Sequence, residues 1–232
     1  MNSIKHYLSI LFITLISTSI GFAQCNEFYQ LSEGSEWELE SYNAKDKLTG
    51  RNTQKVSEFS SSSNSFVAKV HSVIYDKKDK EVMQGELDFK CENGTMIVDM
   101  RNFINDEQMK MFESYDMQVQ AENLEVPSGL SVGQTLKDGS VTITANDAPM
   151  PMRMTVNITD RKVVGKESIT TPAGTFECFK ITSKSNINTK MGIGMNFEFT
   201  TTEWLAPKVA IVRSESYKGG KLQGYTQLTK WK

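Results

Sequence analysis

The chain has 232 residues, 38% of them hydrophobic and 23% charged, with a formal net charge of −2. That length supports one domain with a sizeable core. Basic and acidic residues are interspersed rather than blocked, which excludes nucleic acid as a partner, because phosphate binding needs a clustered basic face.

At the N-terminus, Lys5 and His6 precede the apolar run "YLSILFITLISTSIGF". The run is short and hydroxyl-rich for a membrane span, and Gly21 and Ala23 suit a signal-peptidase site. The expectation is a signal peptide over 1–23 and a single β-rich domain over 24–232. The mature chain then has no transmembrane span and is secreted. A rival processing makes Cys25 the lipid-bearing first residue of a lipoprotein, although Gln24 before it is not the small residue such cleavage wants. Both remain open at this point.

The dominant periodicity thereafter is two. "EWELESY" (36–42), "SFVAKVHSVIYD" (65–76), "VTITAN" (141–146), "MRMTVNITD" (152–160), "TFECFKIT" (175–182) and "GMNFEFTTTEW" (194–204) alternate apolar with polar residues, as half-buried strands do. Turn signals lie between them: "KKDK", "ENG" at 92–94, "PAG" at 172–174 and "KGG" at 218–220. An internal echo, "YNAKDKLTG" from Tyr42, "YDKKDKEVMQG" from Tyr75 and "YKGGKLQG" from Tyr217, reads as recurring hairpin chemistry. One segment breaks the pattern. "NDEQMKMFESY" (105–115) opens on a capping Asn105 and predicts one short helix. "VPSGLSVGQTLKDGS" (126–140) reads as a long connection back into the sheet. In "SITTPAGTFECFKITS", Pro172 presets its own φ and Gly174 supplies the positive φ of a tight reversal. That stretch is a corner rather than a reactive loop.

The segments "GKESITTPAGTFECFKI" (165–181), "EWLAPKVAIVRSESY" (203–217), "LSVGQTLKDGSVTI" (130–143) and the start "QCNEFYQLSEGSEWELESY" resemble the TapB family, related to the domain of unknown function numbered 3108. These are secreted or envelope proteins of Gram-negative bacteria, and the resemblance implies export across the inner membrane to the periplasm or cell envelope. The resemblance spans nearly the whole mature chain, and the Pro-Ala-Gly-Thr-Phe hairpin is its most specific element. It implies a mostly β fold, a single curved antiparallel sheet forming a half-barrel similar to the lipoprotein carriers, and it transfers no catalytic residue. Ala210 stands where the family usually has glycine, which argues against a special turn there.

Chemistry is sparse. His71 is the one histidine beyond the signal, in an alternating strand, and no HExxH, paired CxxC, P-loop or dinucleotide fingerprint occurs. Glu36 with Glu38, and Glu86 with Asp88, share strand faces as solvated carboxylates do. No enzyme activity and no cofactor are expected. Of the three cysteines, Cys25 and Cys91 are expected to pair in an oxidising compartment, with Cys178 a free buried thiol.

The methionines stand out. Met150, Met152 and Met154 alternate, as do Met191, Ile193, Met195, Phe197 and Phe199, so each set lines one strand face. Three readings compete: core filling, an adaptable apolar ligand groove, and a thioether site for Cu(I). The function expected is a non-enzymatic binding module for an apolar small molecule, a lipid or a lipid-bearing envelope partner. The alternative is a structural or interaction protein of the envelope with a solidly packed core.

Overall fold

The computed structural model describes residues 25–104, 112, 115–150, 152–191 and 193–232. The expected signal peptide lies outside the described residues, as does the helix expected over 105–115 except at its last residue and at Phe112, which is helical and fully buried.

Among the described residues thirteen strands form one sheet: β1 Glu36–Asn43, β2 Leu48–Ser62, β3 Ser65–Asp76, β4 Glu81–Glu92, β5 Thr95–Val98, β6 Met117–Glu122, β7 Leu124–Pro127, β8 Gly139–Ala145, β9 Met152–Thr171, β10 Gly174–Met191, β11 Ile193–Ala206, β12 Ala210–Lys218 and β13 Lys221–Trp231. Every pairing is antiparallel. A 3₁₀ turn, Met100–Phe103, follows β5 and is capped by the Asp99 side chain, which accepts from the Arg101 N–H. The spatial order runs β6-β8-β9-β10-β11-β12-β13-β1-β2-β3-β4-β5-β7. Its two edge strands, β6 and β7, are neighbours in sequence, separated by Asn123 alone. One continuous stretch therefore pairs first with β8 and then with β5, and the expected half-barrel closes nearly to a full barrel.

Local chemistry explains the corners. Thr171 and Gly174 pair across a two-residue turn of Pro172 and Ala173, and the Thr171 hydroxyl accepts from the Ala173 N–H. Gly174 has φ +136°, a conformation that side-chain-bearing residues resist. Gly174→Val is expected to cost about 1–3 kcal/mol, read as a lower urea midpoint. An unchanged midpoint would show that the turn tolerates a β-branched residue.

The tyrosine echo also has a structural cause. The strand register slips at Ser41/Tyr42, Ile74/Tyr75 and Ser216/Tyr217, one bulge per echoing tyrosine. At two of the bulges a glycine faces the tyrosine carbonyl. A Cβ on Gly50 would stand 2.5 Å from the Tyr75 oxygen, and one on Gly224 2.5 Å from that of Tyr42.

The largest core cluster gathers Phe28, Val56, Val70, Met96, Phe179, Ile181 and Leu205. A second, around Met100, Phe112, Val141, Ile143, Met154 and Val156, fills the end formed by β8 and β9. A third joins Cys178, Trp204, Val212 and Leu228. Among the described residues no helix is long and apolar enough to cross a membrane.

Candidate functional site: an apolar cavity faced by Glu203 and Arg161

The N-terminal segment builds one wall of the site. Cys25 is bonded to Cys91, as expected. Asn26 is fully buried, and its side-chain amide donates to the carbonyls of Gly94 (3.0 Å) and Val126 (2.9 Å) while its oxygen accepts from the Phe28 N–H. These bonds replace the ladder partners an irregular buried segment would lack. Further along, Lys208 N–H donates to Glu27 O and Ala210 N–H to Phe28 O, and Tyr29 bridges to Val209. The turn that offers those donors has Lys208 at φ +72° and Ala210 at φ +68°. The left-handed turn that an alanine argues against is therefore present at Ala210, and the segment docked on it is what holds it there.

Between this segment and the barrel wall lies a cavity of about 250 Å³. Trp37, Phe89, Ile181, Leu205 and Ile211 give it an apolar lining, and the partly exposed Phe103, Lys208 and Trp231 mark its mouth. Two ionisable side chains face into it, Glu203 and Arg161, with Tyr29 beside them. Glu203 sits on β11 opposite Ile181, which in turn opposes Val163, so the carboxylate shares the core-facing side of the sheet. Arg161 follows a bulge at Asp160, whose φ is +54°. Its guanidinium is buried, and Nη1 donates to the carbonyls of Glu125 (3.0 Å) and Lys137 (2.6 Å).

Burial pushes the Glu203 carboxyl above the usual carboxylate range, partly offset by the attraction of Arg161. Burial lowers Arg161, with Glu203 and Tyr29 opposing it. Tyr29 is raised by burial and then by Glu203. Among the described residues nothing hydrogen-bonds the Glu203 carboxylate, and its attraction to Arg161 acts across the cavity without contact. A carboxyl raised in the folded state contributes stability while protonated, below its unfolded value, and loses it as pH rises through the folded one. Glu203→Gln is therefore expected to melt above the wild type near about pH 8 and to converge with it near about pH 4. Thermal melts across that range check this, and a variant that melts lower at the alkaline end contradicts it.

The residues singled out by the sequence lie elsewhere. Cross-strand register places Met152, Met191 and Ile193 in one row, Met154 and Met195 in the next about Thr189, then Phe197 with Ile187, and Phe199 with Ser185. They share one sheet face, but that face divides. Met154 is buried in the second core cluster and Met152 packs against it, whereas Ile193, Met195 and Phe197 are 84%, 51% and 37% exposed. Phe199 is half-buried and Met150 exposed, while the Met191 side chain lies outside what is described. Met150, Met152 and Met154 thus have three different environments. None of these residues lines the cavity.

Other candidates are ion-paired. His71 Nδ1 lies 3.2 Å from Glu86, and Glu38, expected among solvated carboxylates, is instead buried and binds Arg51 and Lys230. Cys178 is free and buried, and burial pushes its thiol up to about 11, against thiolate chemistry. Sequence reasoning missed Glu203, Arg161 and Tyr29. A signal for Glu203 existed: the odd-numbered row of Met195, Phe197 and Phe199 continues through Thr201 to Glu203 and Leu205, setting a carboxylate on an apolar face.

The profile of the DUF3108-like family matches residues 32–228. The chain belongs to the DUF3108-like family. No curated protein matches it. Two solved structures share the fold of this DUF3108-like chain. One is a protein assigned as exported, of YmcC-like fold, from Bacteroides fragilis, with a TM-score of 0.69 and 24% identity over 90% of this chain and 100% of that one. The other is a protein assigned as a lipoprotein from Parabacteroides distasonis, with a TM-score of 0.70 and 26% identity over the same shares.

Proposed function

We propose that this DUF3108-like protein is a non-enzymatic binding module of the TapB type, working in the periplasm or cell envelope of a Gram-negative bacterium. It takes an apolar ligand, or the chain of a lipid-bearing partner, into the barrel cavity. The observation that carries the reading is the cavity of about 250 Å³, with its aromatic and aliphatic lining and few polar groups. Ligand sites have that composition, and this one lies just below the roughly 300–1,000 Å³ of drug-sized pockets. Each methylene moved from water into such a lining contributes about 0.8 kcal/mol, so a short chain reaches micromolar affinity after association costs. The export and lipoprotein assignments of the two similar structures support the compartment. The exposed row of Ile193, Met195 and Phe197 is a second apolar surface, suited to a partner that delivers or receives the ligand.

Titration with N-phenyl-1-naphthylamine, which fluoresces in apolar surroundings, tests the reading. The wild type is expected to bind the probe, and Ile211→Trp, which fills the cavity from its wall, to weaken it about ten-fold, or 1.4 kcal/mol, without lowering the melting temperature. Equal binding by both proteins, or none by the wild type, would leave the packed interaction module as the better account.

A further inference from the structure

We propose that the ligand of this cavity ends in an uncharged polar head, an amide or hydroxyl that both donates and accepts hydrogen bonds, seated between Glu203 and Arg161. The inference rests on the cavity reading above and adds the chemical class of the ligand.

Charge balance is the first support. Glu203 and Arg161 are opposite charges that face the same apolar space, with Lys208 the further charge of the lining, out at the mouth, so deep in the cavity the two inner charges offset each other. An anionic or cationic head would add an uncompensated charge there, and burying one costs several kcal/mol. A neutral dipolar head adds none. The second support is the hydrogen-bond inventory. A guanidinium has five N–H donors, and those of Arg161 that the structure shows in use belong to Nη1, directed at the Glu125 and Lys137 carbonyls. The Glu203 carboxylate accepts from nothing among the described residues. Among the described residues the one buried side-chain polar atom without a partner is Thr189 Oγ1, so these groups are open to the cavity, and a ligand that matches them takes the place of water there. The complementary group donates to Glu203 and accepts from Arg161 or from the Tyr29 hydroxyl. Leu205 and Ile211 then flank the first carbons of the tail, which leaves towards Phe103 and Trp231 at the mouth.

The test uses the mature chain loaded with N-phenyl-1-naphthylamine and four competitors sharing one decyl chain: the primary amide, the alcohol, the carboxylate and the amine. Near neutral pH the amide and alcohol are expected to displace the probe about ten-fold more tightly than either ion. In Glu203→Gln, where Arg161 is left unbalanced, the order is expected to shift towards the carboxylate. The wild-type ranking alone decides the point even if that variant fails to fold. A wild type that prefers the carboxylate or the amine overturns the head-group inference and leaves the cavity reading standing. So does equal displacement by all four, as a site bridged by water would give. Failure of every competitor to displace the probe removes both.

Discussion

Replacing Cys25 and Cys91 together by serine is expected to lower stability by about 4 kcal/mol, the chain-entropy value for a closed loop of this size. The bridge spans 66 residues and joins the N-terminal segment to the end of β4, so without it the unfolded chain regains the freedom that loop closure removes. The segment also forms a wall of the cavity, through Phe28, Tyr29 and Leu31, so probe affinity should fall along with the urea midpoint. A double variant within about 1 kcal/mol of the wild type would mean that Asn26 and the backbone bonds hold the segment unaided.

Phe28→Ala is expected to cost roughly 3–5 kcal/mol. The ring is fully buried and meets Phe179 edge to face at 5.7 Å, a geometry that contributes beyond area burial. It sits within the largest core cluster, against barrel side chains that cannot collapse far onto the space it leaves. Phe28 and the bridge anchor the same short segment, so their losses should not add. Combining Phe28→Ala with the serine pair is expected to cost less than the sum, and full additivity in urea unfolding would show that the two anchors act independently.

Several strands were legible from one apolar face, though β7, with Leu124 and Val126 buried on one side, was not and fell partly in the connection expected over 126–140. The alternation over 65–76 coincides with β3, and that over 36–42 falls within β1. By contrast β2, "LTGRNTQKVSEFSSS", carries polar residues on both faces over much of its length and gives no period-two signal. The corner at Pro172, the disulfide and the free thiol followed from local chemistry and compartment. Barrel closure did not, because it depends on Asn123 letting a single stretch change partners, and no periodicity records that. The site was half legible. Glu203 stands in register on an apolar row, but Arg161 reaches the cavity only after the bulge at Asp160 resets which side its side chain faces. Tyr29 lies in an unpatterned segment whose place is fixed by long-range bonds.

The junction at Asn123 also constrains how a guest could get in. Strands on either side of a lateral slit must separate for a chain to pass sideways, yet here β6 and β7 are joined by a single residue, and consecutive Cα atoms stay about 3.8 Å apart. The Asn123 side chain is itself tied down, accepting from the Met100 N–H at 3.1 Å. Sideways opening would require stripping a strand from β8 or from β5 along its length. For a guest of the kind proposed, exchange would therefore be axial, its rate governed by the aromatic rim rather than by breathing of the wall.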